Sequence, residues 1–166
     1  MKSEPPHVGG YRAEEGSSSF PILVIGYGNE LRGDDAVGPQ AARAVSDWNL
    51  PQVRALALAQ LTPELAEAIS QARQVIFVDA AADAEKPTAT AQAIGPSPET
   101  PALGHASDPR WLLALAKSLF GRCPPAWLVE IPARSFGFGQ PLSVEAQQGA
   151  EIGLGLIRRI CVPQET

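Results

Sequence analysis

Short continuous apolar runs alternate along this chain with segments whose apolar positions recur every three or four residues, the pattern of strands exchanging with helices. Positions 20–26, Phe-Pro-Ile-Leu-Val-Ile-Gly, suit by length and β-branching a strand buried on both faces. A loop follows from Tyr27 to Asp35. Beyond it Ala36, Val37, Ala41, Ala44, Val45 and Trp48 recur at helical spacing, so a helix is predicted to start near Asp34 or Asp35, with an acid capping its first turn. Alternation over 52–59 permits a second strand, and Thr62-Pro63-Glu64 announces a helix through Ile69, with an N-cap followed by Pro at the first helical position. Positions 74–79 form the clearest strand, and 89–94 a weakly signalled one. Residues 95–104 must be a loop, because Pro96, Pro98 and Pro101 cannot serve a central ladder. Ser107-Asp108-Pro109 starts a helix that carries Leu112, Leu113, Leu115, Ala116 and Leu119 and stops at Gly121. A last strand covers 127–131. After the loop Phe136-Gly137-Phe138-Gly139, positions 143–160 present Val144, Ile152, Leu156, Ile157 and Ile160 on an amphipathic helix. Strands alternating with helices predict an α/β fold, a mostly parallel sheet with helices on both faces.

Composition narrows the class without changing that picture. At 166 residues, 45% hydrophobic and 19% charged, the chain suits one domain with its own core. Residues 1–19 are polar and rich in Gly, Ser, Pro and Glu, which predicts a flexible tail; residues 20–162 form the domain and 163–166 a short tail. The net charge of −5 argues against a protein that neutralises nucleic-acid phosphates. No run approaches the roughly 18 apolar residues of a membrane span, and the first 19 residues lack the apolar stretch of a signal peptide. A cytoplasmic protein with neither a nucleic-acid nor a membrane partner is expected. Cys123 and Cys161 share no CxxC spacing, so both read as structural.

Three polar residues fall where a ligand crevice belongs: Asp35 after the first strand, Asp79 at the end of the third, and His105 after the Pro-rich loop. Two carboxylates and an imidazole form a divalent-metal ligand set with open positions. The same residues also read as a helix cap, a strand terminus and a loop histidine. The Gly26-Tyr27-Gly28 turn opens like a dinucleotide site, yet Leu31 stands at the third glycine and no acid ends the second strand, which argues against such a cofactor. Tyr27 and Phe136 read as residues that fill gaps beside the loops, with substrate contact as the alternative.

The segment from Ile22 to Gly38 follows the pattern strand, then G-x-G-N-x-L-x-x-D-D/E-x-x-G, and resembles the amino-terminal signature of the nickel-iron hydrogenase maturation proteases, the hydrogenase-specific carboxy-terminal endopeptidases. Positions 75–79, His105-Ala106-Ser107, and 129–143 resemble that family's later elements, so the likeness covers about residues 20–160. It implies a three-layer αβα sandwich around a twisted, mainly parallel five-stranded sheet. It also implies an aspartic-type endopeptidase that removes the carboxy-terminal extension from the nickel-loaded precursor of a hydrogenase large subunit. By the same resemblance Asp35, Asp79 and His105 contact nickel carried by the substrate, with no permanently bound cofactor, and serve as the catalytic set. Gly28, Asn29 and Asp34 are candidate substrate-binding residues; Gly28 and Asn29 read equally as a tight turn that needs glycine, and Asp34 is also a candidate base or cap. Asp35 replaces a glutamate frequent in the family and Ala36 a glycine; neither change removes a donor. No serine or cysteine is paired with a histidine and a third residue as a covalent nucleophile. The competing reading is a non-enzymatic, nickel-dependent docking module or chaperone for the same precursor. A monomer is expected.

Overall fold

The computed structural model describes residues 21–82, 87–98 and 107–165. Strand β1 (Ile22–Tyr27) leads through a short 3-10 turn (Gly33–Ala36) into α1 (Val37–Ser46). Then follow β2 (Val53–Leu58), α2 (Leu65–Gln71), β3 (Gln74–Ala81), β4 (Thr90–Ile94), α3 (Pro109–Phe120), β5 (Ala126–Pro132) and α4 (Val144–Cys161). The five strands lie in the order β2-β1-β3-β5-β4. The first four in that order are parallel, and β4 pairs antiparallel with β5 at one edge.

Two apolar layers hold the sheet between helices. On one face Leu23, Ile25, Val75 and Phe77 pack with Ile69 of α2 and Trp111, Leu112 and Leu113 of α3. On the other, Ile22, Val24, Ile76, Val78, Val129 and Ile131 pack with Val37, Ala41 and Val45 of α1 and Ile157 and Cys161 of α4. Alternate residues of β1 and β3 thus feed opposite layers, as the two-residue strand period requires, and both strands read as continuous apolar runs because both faces are covered. The result is the three-layer αβα sandwich expected from the sequence. Helix α1 sits close on β1: a β-carbon at Gly26 would lie 2.0 Å from the Gly38 carbonyl oxygen, so only glycine admits this approach.

Two boundaries differ from the sequence reading, and one strand takes a direction that the reading left open. Helix α1 starts at Val37 with Ala36 as its N-cap and no side-chain cap, because Asp34 and Asp35 belong to the 3-10 turn and direct their carboxylates elsewhere. Helix α2 starts at Leu65, since the Thr62 and Pro63 carbonyls accept from the Leu65 and Ala66 N–H groups in a turn that precedes it. Strand β4 is real but antiparallel, an edge position suited to its exposed Thr90, Gln92 and Ala93. The other signals fall where expected. Asp108 caps α3 by accepting from the Arg110 N–H at 2.9 Å with Pro109 next in line, Gly121 ends it at φ 73°, and Ser143 caps α4.

Candidate active site

The chain leaves β1 toward α1 and β2 on one side and reaches β5 and β4 beyond β3 on the other, so the carboxyl ends of β1 and β3 flank the point where strand order reverses. Ligand crevices in open α/β sheets form there. Asp79 lies near the end of β3, in register with Glu130 of β5 and on the face shared with Tyr27 of β1. The Tyr27 hydroxyl donates to Asp79 Oδ2 at 3.1 Å, and the Ala80 N–H donates to Asp79 Oδ1 at 2.8 Å. Burial pushes the Asp79 carboxyl up to about 6; its two hydrogen bonds pull the other way, and the nearby charges of Asp35 and Glu130 add to the rise. The Tyr27 hydroxyl is pushed above its usual range by burial first and then by the Asp79 charge, which keeps it a donor.

Asp35 reaches the same end of the sheet from the 3-10 turn. Its Oδ2 accepts the Asn29 N–H at 2.6 Å. The loop that carries it is closed by Asn29, whose Oδ1 accepts the Leu31 N–H at 3.0 Å and whose carbonyl accepts the Arg32 N–H at 3.1 Å. Gly28 has φ 152°, and a β-carbon there would lie 2.0 Å from the Asp35 carbonyl oxygen. Gly28 is buried and its N–H donates to the Leu58 carbonyl at 3.1 Å, while Asn29 is exposed beside the crevice.

Asp34 points away from the crevice. It is fully buried, and its carboxylate accepts from the N–H groups of Arg134 (2.7 Å), Ser135 (3.0 Å) and Ser143 (2.6 Å) and from the Ser143 hydroxyl (2.7 Å). Burial raises its pKa, but these four bonds outweigh burial and hold the carboxyl below its usual range. It ties the 3-10 turn to the loop between β5 and α4. Gly28 and Asn29 shape the Asp35 loop. Asp35 lies near enough for its charge to act on Asp79 at this end of the sheet, and His105 lies outside the described residues. Among the described residues no three His, Cys, Asp or Glu side chains converge to hold a metal.

Tyr27 is more than the gap filler the sequence suggested. The pairing of β1 with β3 puts it on the face of Asp79, one strand away, and strand alternation by itself could not say so. Cys161 is buried in the α1–α4 layer and Cys123 precedes β5 at the opposite end of the sheet, so neither cysteine reaches the crevice.

The molecule is therefore a doubly wound α/β protein with two carboxylates at its switch point. No family model and no curated protein matches it by sequence. Solved structures do. The hydrogenase maturating endopeptidase HybD from E. coli is 22% identical, with a TM-score of 0.68 over 85% of this chain and 91% of that one. The nickel-iron hydrogenase maturation protease HycI from Thermococcus kodakarensis KOD1 is 24% identical, with a TM-score of 0.64 over 87% and 94%. An endopeptidase from Escherichia coli is 25% identical, with a TM-score of 0.63 over 85% and 93%. The chain has the fold of the hydrogenase maturation endopeptidases, as its amino-terminal pattern implied.

Proposed function

We propose that this protein is a hydrogenase maturation endopeptidase that removes the carboxy-terminal extension from the nickel-loaded precursor of a hydrogenase large subunit. The observation that carries the reading is the placement of Asp35 and Asp79 at the carboxyl ends of β1 and β3, the switch point of this fold, on a sequence that bears the G-x-G-N-x-L-x-x-D-D pattern. Carboxylate and imidazole donors are hard to borderline and few, so alone they hold nickel weakly. That suits a protein that reads a metal already bound by substrate thiolates. In this reading the substrate's nickel completes its coordination with Asp35, Asp79 and His105, and the scissile bond is thereby fixed beside them. The nickel then polarises the scissile carbonyl or activates the water that attacks it. Asp79, titrating near 6, is anionic at neutral pH and available as a donor, and the Tyr27 hydroxyl fixes its orientation.

The test is a processing assay on nickel-loaded and nickel-free precursor, read by mass. The expected result is loss of a carboxy-terminal peptide with nickel alone, reduced at least about a hundredfold by Asp35→Ala, Asp79→Ala or His105→Ala, the scale on which a lost positioning contact acts. A nickel-loaded precursor that is bound but never shortened turns the reading into the docking module.

A further inference from the structure

The loops beside Asp35 carry large apolar side chains that the core does not use. Phe138 is 76% exposed, Leu31 60% and Phe136 37%. Leu31 belongs to the loop that holds Asp35, and the two phenylalanines to the loop between β5 and α4, so all three stand at the carboxyl end of the sheet. The loops are fastened along their length. The Gly139 N–H donates to the Leu31 carbonyl at 2.8 Å, and the Asp34 N–H to the Ser135 carbonyl at 2.7 Å. Gly33 packs against the Ser135 and Gly137 carbonyls, and the buried Asp34 carboxylate collects three N–H groups and a hydroxyl from the second loop.

Two loops fastened to each other that expose a leucine and two phenylalanines mark an interaction surface, and the fastening lowers the entropic cost of binding there. Exposed Arg32 and Arg134 follow and precede the apolar positions on the two loops, while the acid beside Leu31, Glu30, is ion-paired with Arg43 of α1. The patch is continuous with the Asp35 loop, so what it holds enters or leaves at the site itself.

We propose that Leu31, Phe136 and Phe138, with Arg32 and Arg134, form the docking surface for the carboxy-terminal extension of the precursor. The occupant is an extended peptide whose apolar side chains cover Leu31, Phe136 and Phe138 and whose carboxylates, side-chain or terminal, meet the two arginines. This rests on the endopeptidase reading and specifies which surface grips the segment to be removed. Nickel recognition by Asp35 and Asp79 and extension recognition by the two loops are then separate contacts.

The experiment measures binding and cleavage of the cognate nickel-loaded precursor, and binding of the same precursor truncated at the cleavage position. Binding partners are the wild-type protein, the pair Leu31→Ser with Phe138→Ser, the pair Arg32→Glu with Arg134→Glu, and Leu119→Ser. Leu119 is 63% exposed at the far end of α3 and serves as the control. We expect the full-length precursor to bind wild type at least about tenfold more tightly than the truncated one, the scale of a lost anchor residue. Each loop variant pair abolishes that difference, and Leu119→Ser preserves it. All these positions are exposed, so the variants melt with the wild type, which thermal unfolding verifies. If wild type cuts the precursor while the loop variants bind it unchanged, docking at this patch is overturned and the endopeptidase reading stands. If the loop variants alter only self-association, the patch is an interface between copies. A wild-type protein that neither binds nor shortens the precursor removes the endopeptidase reading itself.

Discussion

Asp34 and Asp35 are adjacent, identical in type and opposite in use. Rotation of the chain through the 3-10 turn aims one carboxylate into the β5–α4 loop and leaves the other facing the crevice, where it meets the field of Asp79. The Asp79 carboxyl titrates near 6, well above the ordinary 3.8, so the folded state keeps a proton that the unfolded chain releases between these values. Its contribution to stability is greatest below about pH 4 and falls as pH rises through 6. Asp79→Asn is therefore expected to stabilise the protein at pH 7, by about 1–3 kcal/mol, with little effect at pH 4; denaturant unfolding at the two pH values measures it. Tyr27→Phe removes a bond that lowers the Asp79 pKa, so the titration of this carboxyl followed by NMR should move upward.

At the scale of elements, the turn after β1 and the loop after β5 behave as one unit, although about 100 residues separate them. Asp34→Ala leaves three backbone N–H groups and the Ser143 hydroxyl without their shared acceptor. The expected loss is about 2–4 kcal/mol in unfolding free energy at neutral pH, seen as a lower denaturant midpoint. The sign with pH is opposite to that of Asp79. The Asp34 carboxyl lies below its unfolded value, so its stabilisation is present above about pH 4 and disappears as pH falls through the folded value. The difference between wild type and Asp34→Ala should therefore shrink in acid. Loosening this tie also frees the loop of Phe136 and Phe138.

For the whole molecule, the order of strands places the chemistry. Parallel β1 and β3 lie side by side with their carboxyl ends together, and the turn and helix that follow β1 close one wall of the crevice. Among the described residues, no helix is long and apolar enough to cross a membrane. The sheet's two edges are β2 and the antiparallel β4, a short strand with exposed Thr90 and Gln92, which discourages edge-to-edge pairing. A monomer of 17.5 kDa is the expected species in light scattering at micromolar concentration; a mass near twice that value would contradict it.

What the sequence determined by itself was local. Apolar runs and helical spacing marked the five strands and four helices of the described residues, and Asp108-Pro109, Gly121 and Ser143 marked helix ends, because such signals depend on neighbours within a few residues. The pattern around Gly26 to Gly38 also pointed to the fold. Direction was another matter. The antiparallel setting of β4 and the partition of Asp34 from Asp35 were decided by the tertiary structure, as were the Tyr27–Asp79 hydrogen bond and the lacing of two distant loops. Each of these depends on groups brought together from separate parts of the chain, and one helical or strand period cannot encode which carboxylate a remote N–H will meet.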